Sequence, residues 1–162
     1  MDEKEILAIL KKMEAFEEGE FELASGKKVD KRYQMGTLTQ DPILLNRFAV
    51  EVLQKIDRDK TKFGVVVTSD DEGVFFGFSV AMAAWTRFGL CSDETGEWKL
   101  PKEFVLSDHD KVVVAVHTTD DAEKVNALVK LVESRLAKPV AIVALYANED
   151  VEFDLPTFTL VD

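Results

Sequence analysis

Cysteine, proline and glycine are all scarce in this chain of 162 residues, which has one cysteine, four prolines and eight glycines. The single thiol, Cys91, cannot form a disulfide within the chain, so stability has to come from a hydrophobic core. A chain of this length can bury roughly 70% of its unfolded surface, which is enough for one such core. Because the sequence places no base near Cys91 that could deprotonate it, we expect an inert thiol.

Basic residues and long apolar runs are also lacking. Only 20 Lys and Arg residues stand against 31 Asp and Glu, which gives a net charge of −11. A nucleic-acid-binding surface normally carries excess positive charge, so nucleic acid is not expected as a partner. No apolar stretch approaches the ~20 residues that span a bilayer, and the N-terminus lacks a signal-peptide pattern. We therefore expect a cytoplasmic protein that has no membrane partner.

Helical and strand-like segments alternate along the chain. Amphipathic or apolar patterns predict four helices, at 2–16, 41–56, 74–89 and 120–137. Short β-branched runs predict four strands, at 63–68, 111–116, 139–147 and 155–161. This alternation predicts an α/β fold in which helices flank a mostly parallel central sheet, with a hairpin over 90–110 projecting from the core. Ligands bind beyond the carboxyl ends of such strands, so the loops 68–73 and 117–121 are the places to look for a site.

The third predicted helix is apolar on every side, which is typical of a helix in the centre of a fold. Its aromatic residues are therefore expected in the core: Phe75, Phe76, Phe78 and Trp85. Trp98 is expected to pack within the hairpin. Among the histidines, His109 lies in a polar turn and is expected to be exposed. His117 ends a buried strand, and because no second His or Cys is placed to act with it, we expect a simple loop histidine.

Five segments, in this order and spacing, resemble the orotate phosphoribosyltransferases, which have the type I phosphoribosyltransferase fold. They are EFELASGKKVDKRYQ, GTLTQDPILLNRFAVEVL, VVVTSDDEGVFFGFSVAMA, ETGEWKLPKEFVLSDHDKVVVAVHTT and KPVAIVALYANEDVEFDLPTFTLVD. The resemblance implies one phosphoribosyltransferase-like domain over 1–162, with an N-terminal helix and hood-like segment at 1–40 and an α/β core at 41–162. It also implies a homodimer.

The family joins a pyrimidine base to phosphoribosyl diphosphate with the help of Mg²⁺. Its signature is a strand that ends in two acids for the ribose, followed by two threonines and two glycines that cradle the 5′-phosphate. Here the acids are replaced by Val114 and Ala115, and the glycines by Asp120 and Asp121. Side chains thus fill space that glycine leaves open, and two carboxylates would face the phosphate.

Two further positions depart from the family pattern. The loop SDDEG at 69–73 replaces a small glycine-rich diphosphate loop, and Asp93 aligns with a basic catalytic residue of the hairpin. We therefore assign no catalytic residue. If a ligand site is retained, the resemblance places it at the basic hood-like segment and the threonine pair: Ser25, Gly26, Lys27, Lys28, Thr118 and Thr119.

The acidic residues allow two interpretations. Asp120 with Glu123 can form a capping box, and the acids at 70–72 can form a solvated turn at a helix N-terminus. Alternatively, if the strands at 63–68 and 111–116 are neighbours, five carboxylates converge at one sheet edge and could hold a cation such as Mg²⁺ or Ca²⁺, or a basic partner. These five residues are Asp70, Asp71, Glu72, Asp120 and Asp121.

The sequence is compatible with three functions. The first is a non-catalytic binding, regulatory or assembly subunit that has lost the phosphoribosyl diphosphate site and takes a small anionic or nucleotide ligand, if any. The second is an active orotate phosphoribosyltransferase of pyrimidine nucleotide biosynthesis, which would need Mg²⁺. The third is a small module that binds a cation or a nucleotide.

Overall fold

The computed structural model describes residues 1–23, 26–56, 60–148 and 151–161. Its strands form a two-stranded antiparallel hairpin near the N-terminus and a six-stranded central sheet. The hairpin strands are β1 (Phe16–Glu22) and β2 (Lys28–Tyr33). The sheet strands are β3 (Val65–Ser69), β4 (Arg87–Asp93), β5 (Trp98–Lys99), β6 (Lys111–Thr118), β7 (Lys138–Tyr146) and β8 (Thr157–Val161).

Helices stand between most of these strands. They are α1 (Glu3–Lys12), α2 (Met35–Leu38), α3 (Pro42–Gln54), α4 (Val74–Ala84) and α5 (Ala122–Ser134). Of these, α1, α3 and α5 begin at side-chain caps. Asp2 and Glu5 form a capping box at the start of α1, and the Asp41 carboxylate accepts a hydrogen bond from the Leu44 N–H at the start of α3. The Asp-Pro start that the sequence predicts for α3 is therefore confirmed.

The central sheet has the strand order β5-β4-β3-β6-β7-β8, and every neighbouring pair is parallel except β4 with β5. Helices cover it as the alternation of elements predicts, so the expected α/β class is confirmed. The register pairs Val65 with Val112, which makes β3 and β6 direct neighbours. The loops that follow these two strands consequently lie side by side at the carboxyl edge of the sheet. The boundary at residue 40, between the N-terminal helix with its hood-like segment and the α/β core, stays a prediction.

The core has two layers because both faces of the sheet are covered. Alternate residues of β3 and β6 point to opposite sides: Val66 and Val113 belong to a cluster with α1, α3 and α4, whereas Val65 and Val114 belong to one with α5. The described ranges contain no helix long and apolar enough to cross a membrane.

The predicted helix over 74–89 is too long. It ends at Ala84, where Trp85 takes the left-handed conformation with φ 57°, and β4 starts at Arg87. Gly89 is a strand residue and lies against Phe104, so that an added Cβ would come within 2.9 Å of the Phe104 ring. A short apolar run fits a buried strand as well as a buried helix, which is why the pattern hides this boundary.

The prediction that all four aromatic residues of this segment lie in the core is also wrong. Phe76 is fully buried, but Phe75, Phe78 and Trp85 are exposed. α4 packs on the sheet with one side only, so its opposite side reaches the surface although it is apolar.

The hairpin prediction over 90–110 is partly wrong, since its first strand, β4, is a parallel strand of the central sheet. Only the short strand β5 pairs with it in hairpin fashion. Trp98 of β5 is partly buried against the core cluster on the α5 side of the sheet, and its expected packing within the hairpin stays a prediction.

Candidate functional site

A cavity of about 590 Å³ opens at the carboxyl edge of the sheet, beside the end of β6 and the start of α5. This is where an α/β sheet normally binds a ligand. The residues that line the cavity are Leu23, His117, Thr118, Asp120, Asp121, Ala122, Glu123, Lys124 and Tyr146. Thr118 of the predicted site therefore lies in it, whereas Lys124 and Tyr146 were not singled out from the sequence.

The turn between β6 and α5 is held by its own side chains. The Thr118 hydroxyl accepts a hydrogen bond from the Asp120 N–H at 3.1 Å, and the Asp121 carboxylate accepts one from the Lys124 N–H at 3.0 Å. Asp121 is thus the N-cap of α5, and the predicted capping box of Asp120 with Glu123 is wrong. The helix begins one residue later than that box requires.

Asp120 instead connects two loops. Its carboxylate accepts hydrogen bonds from the Asn148 N–H at 2.8 Å and from the Asn148 side-chain amide at 3.1 Å. The turn after β6 is thereby tied to the segment that follows β7. The partner lies 28 residues further along the chain, so the sequence pattern gives no hint of this contact.

Asp71 connects the loop after β3 to α5. Its carboxylate accepts hydrogen bonds from the Lys124 ammonium at 2.6 Å and from the Gly73 N–H at 2.8 Å. The His117 Nδ1 atom lies 3.6 Å from it, beyond hydrogen-bonding distance. Burial raises the pKa of the Asp71 carboxyl, but His117, Lys124 and the Gly73 N–H outweigh burial and hold the pKa well below its usual range. Asp71 is therefore ionised at neutral pH.

His117 is more enclosed than a simple loop histidine. It is the penultimate residue of β6, and its side chain is 13% exposed. Its Nδ1 atom is buried and finds no hydrogen-bond partner among the described residues. An added Cβ on Gly73 would come within 3.0 Å of the His117 backbone nitrogen, so the glycine is what allows the loop after β3 to approach His117.

Tyr146, the last residue of β7, forms one wall of the cavity. Its ring stacks on Tyr33 of β2 at a centroid distance of 4.1 Å and lies 6.1 Å from the His117 ring. Burial, followed by the negative charges of Asp120 and Glu72, raises the pKa of the Tyr146 hydroxyl well above its usual value. The hydroxyl therefore stays protonated. The rule that ligands bind beyond strand ends could have identified this residue, had it been applied to β7 as well as to β3 and β6.

The predicted five-carboxylate cluster is only partly assembled. Asp120 and Asp121 line the cavity, Asp71 binds Lys124, and Asp70 and Glu72 are exposed on the surface. Within the described ranges, no three His, Cys, Asp or Glu side chains are grouped so that they could hold a metal ion. The described residues thus do not fit a Mg²⁺ ion.

The basic hood-like residues lie apart from this cavity. Lys27 and Lys28 line a second, shallower cavity of about 350 Å³, together with Asn148 and two acids. Gly26 has φ 83° in the turn of the β1–β2 hairpin, a conformation that suits glycine. Ser25 falls outside the described residues. The proposed role of this segment in ligand binding stays a prediction.

Further predicted residues take structural positions. Thr119 is buried, and His109 is exposed as expected. Val114 and Ala115 are fully buried within β6. The Asp93 carboxylate accepts a hydrogen bond from the Gly96 N–H in the hairpin turn. Cys91 is fully buried, and burial together with the Asp70 carboxylate raises the pKa of its thiol to about 12.

No protein-family profile matches this chain. The orotate phosphoribosyltransferase of Carboxydothermus hydrogenoformans is 25% identical over 146 residues, which cover 89% of this chain and 76% of that protein.

Two crystal structures share the fold. The orotate phosphoribosyltransferase from Aeropyrum pernix superposes with a TM-score of 0.79 at 15% identity, over 96% of this chain and 92% of that one. The adenine phosphoribosyltransferase from Thermoanaerobacter pseudethanolicus superposes with a TM-score of 0.69 at 19% identity, over 96% of this chain and 98% of that one. The chain is therefore a homologue of orotate phosphoribosyltransferases and has the α/β fold of the type I phosphoribosyltransferases.

Proposed function

We propose that this protein is a non-catalytic homologue of the orotate phosphoribosyltransferases that acts as a binding or regulatory subunit. One observation carries the proposal. The cavity at the carboxyl edge of the sheet is lined by three acidic residues, Asp120, Asp121 and Glu123, and its lysine, Lys124, is already paired with Asp71. A phosphoribosyl diphosphate molecule would bring several negative charges into this negative environment.

The groups that would hold such a polyanion are also engaged within the chain. The N–H groups of Asp120 and Lys124 donate to Thr118 and Asp121, so two donors at the start of α5 are taken. Val114 and Ala115 stand where the family resemblance places the ribose-binding acids, and both are buried and apolar. Stabilisation of a leaving diphosphate needs positive or hydrogen-bond-donating groups aimed at the developing charge. The acidic residues that line the described cavity instead make it net negative.

An active orotate phosphoribosyltransferase of pyrimidine nucleotide biosynthesis is the alternative. It is favoured by the retained threonine pair, of which Thr118 lines the cavity, and by homology along most of the chain. In that case Thr118, Thr119, Lys27 and Lys28 would have to bind the phosphate and the base.

A direct assay separates the two functions. The purified protein is incubated with orotate, phosphoribosyl diphosphate and Mg²⁺, and the orotate absorbance is followed beside an active orotate phosphoribosyltransferase as positive control. We expect no turnover. A rate in the ordinary enzymatic range of about 1–1,000 s⁻¹ would refute the non-catalytic role. Isothermal titration with phosphoribosyl diphosphate, for which we expect no heat of binding, shows whether the substrate site itself is lost.

The proposed subunit is a cytoplasmic homodimer, and the surface of α4 supports the assembly. Phe75, Phe78 and Met82 follow one another at helical spacing on its outer side and are all more than half exposed, and Trp85 at its end is 95% exposed. Exposed apolar patches of this kind mark interaction surfaces. α4 also has no charged residue, so two copies can meet there despite the net charge of −11.

The area is consistent with a dimer. A buried aromatic side chain covers about 150–250 Å², so the exposed parts of Phe75, Phe78 and Trp85 amount to about 400 Å². Each partner of a stable interface contributes about 800 Å², so these three side chains would supply about half of one partner's share. Sedimentation analysis is expected to give twice the chain mass of 18.2 kDa.

A further inference from the structure

His117 is a largely buried titratable residue with a ring nitrogen that lacks a hydrogen bond. Its side chain is 13% exposed, and its Nδ1 atom finds no partner among the described residues. Buried polar atoms nearly always have a partner. The Asp71 Oδ1 atom lies 3.6 Å from this nitrogen, which is too far for a hydrogen bond. The imidazole therefore stands beside an acceptor that it does not reach.

The Asp71 carboxylate has room for one more hydrogen bond. Its Oδ2 atom accepts from the Lys124 ammonium at 2.6 Å, and its Oδ1 atom accepts from the Gly73 N–H at 2.8 Å. A carboxylate oxygen has two lone pairs, so Oδ1 can accept a second bond from His117. Although burial raises the pKa of the Asp71 carboxyl, its partners hold the pKa well below the usual range. The acceptor is therefore ionised wherever a histidine titrates, between about pH 5 and 8.

The charged groups around His117 are mostly acidic. The loop after β3 contributes Asp71 and Glu72, the turn after β6 contributes Asp120, and the start of α5 contributes Asp121, Glu123 and Lys124. β7 contributes Tyr146, whose ring lies 6.1 Å from the imidazole and whose hydroxyl stays protonated, and Tyr33 of β2 stacks on it. α4 carries no charged residue. Because Lys124 is paired with Asp71, an imidazolium ion at this position would meet mainly negative charge.

We propose that the loop after β3, residues 70–73, is a pH-sensitive strap that closes onto the end of β6 when His117 is protonated. The Nδ1–H of the imidazolium would donate to Asp71 Oδ1, and a bond between two charged groups shortens the present 3.6 Å to about 2.7–2.9 Å. Gly73 permits this approach, because a Cβ at that position would come within 3.2 Å of the His117 Nδ1 atom. Closure would tie the strap to His117 as well as to Lys124, and both residues line the cavity.

The backbone amide of Gly73 reports on the strap, because it donates to the same Asp71 oxygen. Hydrogen exchange of this amide, relative to that of an unstructured chain at the same pH, measures how often the strap opens. We expect its protection to be about tenfold greater at about pH 5.5 than at about pH 8, as one added hydrogen bond between charged groups would give. This pH response should disappear in His117→Gln and, as a second and independent variant, in Asp71→Asn.

His109→Gln is the matched control, because His109 is the other histidine of the chain. Its Nε2 atom also lies 3.6 Å from a carboxylate, that of Asp108, but its side chain is 92% exposed. This variant should keep the full pH response. Equal protection of Gly73 at both pH values in the wild-type protein would overturn the proposal, and so would a response that survives in His117→Gln. The orotate assay decides the proposed function separately, since the strap requires neither the loss nor the presence of turnover.

Discussion

The Lys124 ammonium and the Asp71 carboxylate lie 2.6 Å apart and join α5 to the loop after β3. The two residues are 53 positions apart in the sequence, and both are partly or largely buried. Because β3 and β6 are neighbours in the sheet, this ion pair fixes the two loops that border the candidate site relative to one another.

Replacing Asp71 by asparagine should lower stability in a pH-dependent way. The pKa of Asp71 is lower in the folded chain than its unfolded value of about 3.9. Its stabilising contribution is therefore complete above about pH 4–5 and is lost as the pH falls further. We expect Asp71→Asn to reduce the free energy of unfolding by about 1.5–3 kcal/mol at pH 7, and by less at pH 3. Urea unfolding at both pH values measures this.

Asp70→Asn is the control for this prediction. Asp70 is an exposed neighbour in the same loop, so its replacement should change the free energy of unfolding by no more than about 0.5 kcal/mol. A loss for Asp71→Asn that stays constant down to pH 3 would contradict the ionic contribution assigned to this residue.

Gly77→Ala should destabilise the protein, because α4 approaches β3 most closely there. An added Cβ would lie 2.5 Å from the Thr68 Cβ, and Thr68 is fully buried with its hydroxyl donating to the Ala115 carbonyl. Overpacking of this kind costs about 1–3 kcal/mol. Gly36→Ala is the matched control, since no described atom beyond its own helix turn lies within 4 Å of its added Cβ. Denaturant unfolding should separate the two variants, and equal stabilities would refute the close approach.

The elements that the sequence predicts well are those whose signals are local. The start of α3 depends on a cap that spans only the four residues from Asp41 to Leu44. The strands β3 and β6 are short β-branched runs that are buried on both faces of the sheet. The parallel arrangement follows from the alternation of strands and helices, because crossovers between parallel strands need a helix-sized connection. These features need no knowledge of distant residues.

The details of the site depend on contacts that no local pattern contains. Asp120 turns towards Asn148, and Asp71 towards Lys124, so neither carboxylate stands where the cluster of five would need it. Trp85 ends α4 by taking a left-handed conformation, which is rare for a tryptophan and cannot be inferred from its apolar surroundings. The sequence therefore locates the site on the correct sheet edge but leaves its hydrogen bonding and its aromatic wall undetermined.

Cys91 should be unreactive in the native protein. The thiolate is the reactive form of cysteine, and with a pKa of about 12 in a fully buried position the thiol is protonated and inaccessible at pH 8. We expect negligible reaction with a disulfide reagent such as DTNB at pH 8, and rapid reaction of one thiol per chain once the protein is unfolded in guanidinium chloride. Rapid modification of the native protein would show that β4, which carries Cys91, opens readily.

Trp85→Ala should weaken the proposed homodimer. Trp85 is 95% exposed next to the apolar side of α4, and interface tryptophans are often hot spots whose truncation costs 2 kcal/mol or more. The dimer dissociation constant should therefore rise by about thirtyfold or more, as measured by sedimentation equilibrium. Leu136→Ala is the matched control, because Leu136 is likewise exposed, apolar and left-handed but follows α5. A wild-type chain that is monomeric at micromolar concentration, or equal effects of the two variants, would rule out the α4 surface as the dimer interface.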